Sequence, residues 1–161
     1  LGLTFVHDPY RHLAQYNIAH CKAIPADMPS FVEEVARVNA IGDAAPGFIW
    51  RFTDGEEDNG LSVYPEISAA RLYEEGKRPV CMITNLTTWA TLEDLRRFTY
   101  EGGHLEALRR RREWFEYVPN SNVLWWVDAG ERPTIRDGEN RLATLHEYGP
   151  TMYAFTFKHP F

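Results

Sequence analysis

Residues 81–89 read CMITNLTTW, a run without glycine or proline and rich in β-branched side chains. Such a run forms a strand, because branched side chains suit a pleated surface. Thr91-Leu92-Glu93-Asp94 follows at once and has the form of a helix-opening capping box. This abrupt change of period confines the chain to folds in which a strand feeds directly into a helix. On an alternating strand Asn85, Thr87 and Trp89 point the same way, so a carboxamide, a hydroxyl and an indole N–H share one face. Leu95 and Phe98 mark the buried side of the helix, and Gly102-Gly103-His104 opens another, marked by Leu105, Leu108, Arg112 and Phe115 to about Tyr117.

The remaining elements fall around this unit. Residues 1–11 read as a loose arm. Leu13–Cys21 is a first strand, with Leu13, Gln15, Asn17, Ala19 and Cys21 on one face and Ala14, Tyr16 and Ile18 on the other. Pro29 suits a first helical position, and Phe31, Val35, Val38 and Ile41 make a stripe, so a helix is expected over 29–41. Phe48–Thr53 is a second strand, and residues 54–80 form an insert with a short helix expected over 67–75. Asn122–Val127 is a fourth strand. Pro133-Thr134, with Asp137 completing a capping box, opens a last helix that Gly149-Pro150 stops, and Tyr153–Phe157 is expected as a terminal strand. The order is close to a split βαβ, ferredoxin-like α+β unit with added helices, in one domain over 1–161.

At 161 residues the chain fits one domain of roughly 100–200 residues. A formal net charge of −6 argues against nucleic acid as a partner, since phosphate binding needs a basic surface. The basic run Arg109–Arg112 points all round its helix and reads as a solvated or ion-paired face. Two cysteines, Cys21 and Cys81, make no disulfide framework. The start, LGLTFVHDPYRHL, shows no basic stretch followed by an apolar core, and no run approaches the roughly 20 apolar residues of a membrane span. A cytoplasmic protein with no membrane partner is expected. Asn85-Leu86-Thr87 matches a glycosylation acceptor but sits within a strand. No GxSxG, phosphate loop or dinucleotide fingerprint is present, so serine hydrolase, nucleotide and Rossmann readings lapse, and without CxxC or a helical HxxxH no metal site is expected.

Several separated blocks resemble one family in order: HLAQYNIAH at 12–20, RVNAIGDAAPGFIWR at 37–51, NLTTWATLEDLRRFTYEGGH at 85–104, RRRREWF at 109–115, LWWV at 124–127 and GPTMYAFTFKHPF at 149–161. Together they resemble the domain-of-unknown-function 3291 family, which is similar to the dimeric α+β barrel proteins and the antibiotic-biosynthesis monooxygenases. The resemblance implies a homodimer with sheets packed face to face and a small-molecule pocket within. It implies a cofactor-free oxygenase acting on a phenol or naphthol, with Asn85 and Trp89 lining the pocket and His104 at the start of the following helix. Haem is a further cofactor known in that superfamily. The long insert is a departure, and would either lid the pocket or fill it.

The residues themselves leave alternatives open. Asn85 and Trp89 can donate to an oxyanion or peroxide in a dry pocket, or satisfy backbone and pack a core. His104 can be a general acid or base, or cap its helix. Arg51, in FIWRFT, needs a partner or an anionic ligand. With Gln15, Asn17, Tyr16 and Trp126 it makes up the candidate substrate-binding set. Trp125 and Trp126 face opposite ways, so one is core. Three functions remain: a cofactor-independent monooxygenase on a small aromatic or polyketide-like molecule; an acid/base cyclase, dehydratase or isomerase in the same pocket; and a non-catalytic ligand-binding dimer.

Overall fold

The computed structural model describes residues 8–53, 62–63 and 81–161. The first arm's leading residues and nearly all of the 54–80 insert, with its expected helix, lie outside the described residues. In chain order the described elements are β1 (Arg11–Cys21), α1 (Pro29–Asp43), β2 (Phe48–Arg51), β3 (Ser62–Val63), β4 (Cys81–Trp89), α2 (Leu92–Tyr100), α3 (Gly102–Arg110), β5 (Phe115–Glu116), β6 (Asn122–Asp128) and α4 (Ile135–Tyr148).

β1 lies at the centre of the sheet, antiparallel to β4 on one side and to β6 and β5 on the other. β2 and β3 pair with β4. The four long connections therefore run β2-β4-β1-β6 across the sheet, the order of a split βαβ, ferredoxin-like fold. The fold is α+β with an antiparallel sheet.

The register decides what each face holds. Leu13 lies opposite Trp89 and Trp126, Gln15 opposite Thr87 and Leu124, and Asn17 opposite Asn85 and Asn122. Paired residues point to the same side. These rows form an inner face, covered by α1 and α2, with α3 packed on those two helices. At one end Leu13, Trp89, Leu124 and Phe155 pack with Leu92 and Leu95 of α2. At the other end Cys21 and Ile83 pack with Phe31 of α1 and with Trp114. The outer face carries Ala14, Tyr16, Ile18, Met82, Leu86, Val123 and Trp125, and α4 lies on it through Ile135, Leu142 and Leu145.

Local chemistry explains the element ends. Thr91 accepts a hydrogen bond from the Asp94 N–H at 3.0 Å, and the expected capping box at Thr134 and Asp137 is complete. The helix expected to reach Tyr117 ends at Arg110 instead. A 3-10 turn follows, and Phe115 and Glu116 then pair with Cys21 and His20. Strand pairing and burial of Trp114 outweigh the helical periodicity there. The expected terminal strand is reduced to isolated bridges, Leu124 with Phe155 and Thr156 with His159. Arg110 pairs with Glu113 and Glu34, so this basic residue is ion-paired.

Candidate active site

Between the two apolar clusters of the inner face lies a band of polar rows. One row holds Arg51, Thr87 and Gln15; the next holds Asn85, Asn17 and Asn122 side by side on three strands. Two residues of strand separate the rows, about 7 Å. This polar band, set between the two apolar clusters, holds the candidate binding residues.

Arg51 reaches this face through an irregularity. The β2–β4 register shifts between Phe48 and Trp50. Strict alternation would put Phe48 and Arg51 on opposite sides; the bulge puts both on the inner one. The Arg51 guanidinium lies over the Phe48 ring at 5.3 Å, and its Nη1 meets Asp43 of α1 at 3.2 Å. Its Nη2 donates to the Asn39 carbonyl at 3.4 Å, while Nε is buried with no hydrogen-bond partner. Burial lowers the Arg51 pKa from its ordinary value, and Asp43 opposes that shift. Gly42 makes this packing possible: a Cβ there would stand 3.0 Å from Arg51 Nη2 and 3.2 Å from Phe98 Cζ.

Trp89 is almost wholly buried. Its ring stacks on Phe98 at 5.0 Å and meets Phe48 edge-on at 5.3 Å. Its Nε1–H donates to Thr87 Oγ1 at 2.9 Å, and the Thr87 hydroxyl donates to Gln15 Oε1 at 3.1 Å. The indole donor is thus committed within the sheet, and the polar chain ends on the Gln15 carboxamide. Asn85 points to the same side as Trp89, one row beyond Thr87. Its Oδ1 and that of Asn122 are buried without a partner. An unsatisfied buried amide oxygen costs about 1–3 kcal/mol, which a bound donor would relieve.

His104 stands at the third position of α3, after Gly102 at φ +63°. It does not cap its own helix. Its Nδ1 meets the Thr99 carbonyl, in the last turn of α2, at 2.8 Å. A carbonyl only accepts, so Nδ1 carries the proton and Nε2 is the unprotonated nitrogen. Burial lowers the His104 pKa, against the raising effect of the Thr99 hydrogen bond. The ring packs on Phe98 at 4.7 Å, so Phe98 separates His104 from Trp89. Arg37 of α1 donates to the Gly103 carbonyl at 2.9 Å and fixes α3 against α1.

Of the candidate residues, Arg51, Gln15, Asn17 and Asn85 share the polar band, while Trp89 and His104 flank Phe98. Tyr16 is elsewhere: it lies on the outer face, fully buried beneath α4. Trp126 points inward but is covered by the C-terminal segment, its Nε1–H donating to the Phe161 carbonyl at 2.7 Å. Trp125 is the core member of that pair. Asn122 and Phe98 join the site without having been singled out. Asn122 begins a strand whose register against Asn17 carries no mark in the sequence. Among the described residues no His, Cys, Asp and Glu cluster could hold a metal ion, and no helix is long and apolar enough to cross a membrane.

Comparison with solved structures finds SnoaB from Streptomyces nogalater, a cofactor-independent oxygenase, here in a mutant form. It is 17% identical, with 75% of this chain and 95% of that chain covered and a TM-score of 0.44. A conserved protein from Methanosarcina mazei Go1 is 12% identical over 74% of this chain and 93% of that one, with a TM-score of 0.46. The PA3566 protein of Pseudomonas aeruginosa is 9% identical over 78% and 99%, with a TM-score of 0.44. None of the curated proteins matches the chain. A family model does match, over residues 12–161 and hence nearly the whole sequence: the chain belongs to the DUF3291 family, a domain of unknown function.

Proposed function

We propose that the chain is a cofactor-independent enzyme that deprotonates a small, flat, largely apolar molecule and stabilises the resulting anion. The observation that carries this reading is the pairing of a partly buried imidazole, whose pKa burial lowers, with a partly buried guanidinium about one aromatic ring. His104 packs on Phe98, and Phe98 and Arg51 lie together against Gly42. His104 Nε2 takes the proton of a phenol or enol, and Arg51 holds the anion that forms. A desolvated cation binds an anion far more strongly than one in water.

As a monooxygenase, the enzyme leaves the carbanion character of that anion to react with O₂. Substrate electrons reduce the O₂: one oxygen atom enters the ring as a carbonyl and the other leaves as water. Asn85 and Gln15 offer carboxamide N–H groups to the oxygen-derived anion. The protein acts in the cytoplasm as a homodimer whose seam avoids the part of the outer face that α4 covers. Light scattering at twice the chain mass of 18.6 kDa supports the dimer, and a mass of one chain removes it.

A second reading has its own support. Because the Trp89 N–H is held by Thr87, half of the expected oxyanion grip is closed. Proton transfer alone, in a cyclisation, dehydration or isomerisation, needs only His104 and Arg51. The two readings part in an oxygen electrode with a panel of naphthols, phenols and polyketide-like enols. Oxygen uptake lost in His104→Asn supports the oxygenase. Turnover that persists without oxygen supports proton transfer. Binding with no conversion in either atmosphere leaves a ligand-binding protein and defeats both.

A further inference from the structure

We propose that the cleft between the C-terminal segment and the turn preceding β6 is a separate binding site for a small apolar molecule bearing one carboxylate. The cleft holds about 480 Å³, and Tyr100, Ser121, Asn122, Thr156, Lys158 and His159 are among the residues that line it. That volume is within the range of small-molecule sites. The cleft shares Asn122 with the edge of the polar band but none of His104, Arg51 or Phe98, so the inference stands apart from the proton-transfer reading.

The walls are fixed rather than loosely apposed. The Phe157 and Tyr100 rings meet edge-on at 5.5 Å and close one side. Arg96 donates to the Phe157 carbonyl at 3.2 Å, and Trp126 ties down the chain end at Phe161. On the opposite side His146 Nε2 meets the Asn120 carbonyl at 2.8 Å, and the Ile18 N–H donates to the Ser121 carbonyl at 2.9 Å. Each wall is therefore bound to a different element, so the cleft is a feature of the fold.

Its chemistry selects the ligand. The chain carries 23 acidic residues, yet among the described residues none lines this cleft, which instead presents one lysine and one histidine. The hydroxyls of Ser121 and Thr156 and the carboxamide of Asn122 add neutral hydrogen-bonding groups. A single lysine with neutral donors matches a single negative charge. Tyr100, Leu145, Pro150 and Phe157 give the apolar body a surface to lie on.

The test uses 1-naphthoate as probe and 1-naphthylmethanol as its neutral counterpart, each titrated into the full chain labelled with ¹⁵N. Naphthoate is expected to move the amide signals of Tyr100, Ser121, Asn122 and Thr156, and to bind more tightly than the alcohol. Lys158→Gln, an exposed change that leaves the core intact, should weaken naphthoate roughly fivefold, the weight of one partly exposed ion pair. The same variant should leave the alcohol unaffected. Signals that move only at the Arg51–Phe98 band, equal binding of acid and alcohol, or unchanged affinity in Lys158→Gln would each overturn the proposal.

Discussion

The Trp89 indole N–H donates to Thr87 Oγ1 at 2.9 Å, two residues back along the same strand and on the same face. The hydroxyl passes the polarity on to Gln15 Oε1 on the neighbouring strand. This contact turns a candidate catalytic donor into part of the sheet's own hydrogen bonding.

Thr87→Val keeps the shape of the side chain and removes its oxygen. Both the indole N–H and the Gln15 carboxamide then lose a partner inside the fold. The expected loss is about 1–3 kcal/mol, the penalty for a buried polar group left unsatisfied. Urea unfolding followed by Trp fluorescence measures it, and Thr87→Ser should restore most of the loss. A Thr87→Val protein as stable as the parent would show that the indole finds another partner, and would return Trp89 to the list of ligand donors.

His104 makes a prediction in pH. In the unfolded chain the imidazole takes up its proton near the ordinary value of 6.5, whereas burial in the fold holds it lower. Between those two values the unfolded chain binds a proton that the native chain does not, so acidification favours unfolding. The contribution of His104 is full above 6.5 and declines as pH falls through the window beneath it. His20, lowered by burial against the opposing Glu116 carboxylate, acts in the same direction. His104→Asn retains a donor for the Thr99 carbonyl but titrates nowhere in this range. It should flatten part of the acid limb of a Tm-against-pH curve and abolish turnover. In the parent enzyme kcat/KM should rise with pH through an apparent pKa below 6.5. A profile rising only above neutrality would assign the base to another group.

Gly138 tests how tightly α4 is seated on the outer face. Alanine normally strengthens a helix interior by about 1 kcal/mol over glycine. Here the added Cβ would stand 2.4 Å from Tyr16 Cγ and 2.8 Å from Tyr16 Cβ. Those atoms are the root of a fully buried side chain and have nowhere to turn. Overpacking of this kind costs about 1–3 kcal/mol, so Gly138→Ala is expected to lower the Tm in spite of its helix propensity. A raised Tm would mean that α4 slides readily over the sheet, and would reopen the outer face as a dimer seam.

Much of the site was legible from local pattern. The period of two in residues 13–21 and 81–89 puts Gln15 and Asn17 on one face of their strand, and Asn85 and Trp89 on one face of theirs. Tyr16 shows where that reasoning stopped. Its parity is opposite to that of Gln15, and α4 covers it on the outer face, away from the polar band. Arg51 depends on more than local alternation. Alternation through Phe48-Ile49-Trp50-Arg51 separates Phe48 from Arg51, and only the bulge reunites them.

Local sequence determined most of the elements, the two threonine caps and the parity of β1, β4 and β6, because these follow from steric preferences and hydrogen bonds spanning a few residues. Thr91 with Asp94, Thr134 with Asp137 and the β-branched run of 81–89 are all of this kind. Tertiary structure decided which parities meet. The register that sets Asn85, Asn17 and Asn122 in one row joins residues over 30 positions apart in the chain, and depends on how three strands slide to bury Trp89, Leu13 and Trp126 together. The choice of Thr87 as partner for the Trp89 N–H, of Thr99 for His104, and of α4 as cover for Tyr16 follows from that packing. Burial is a property of the assembled sheet and helices, and burial is what lowers the pKa of both His104 and Arg51.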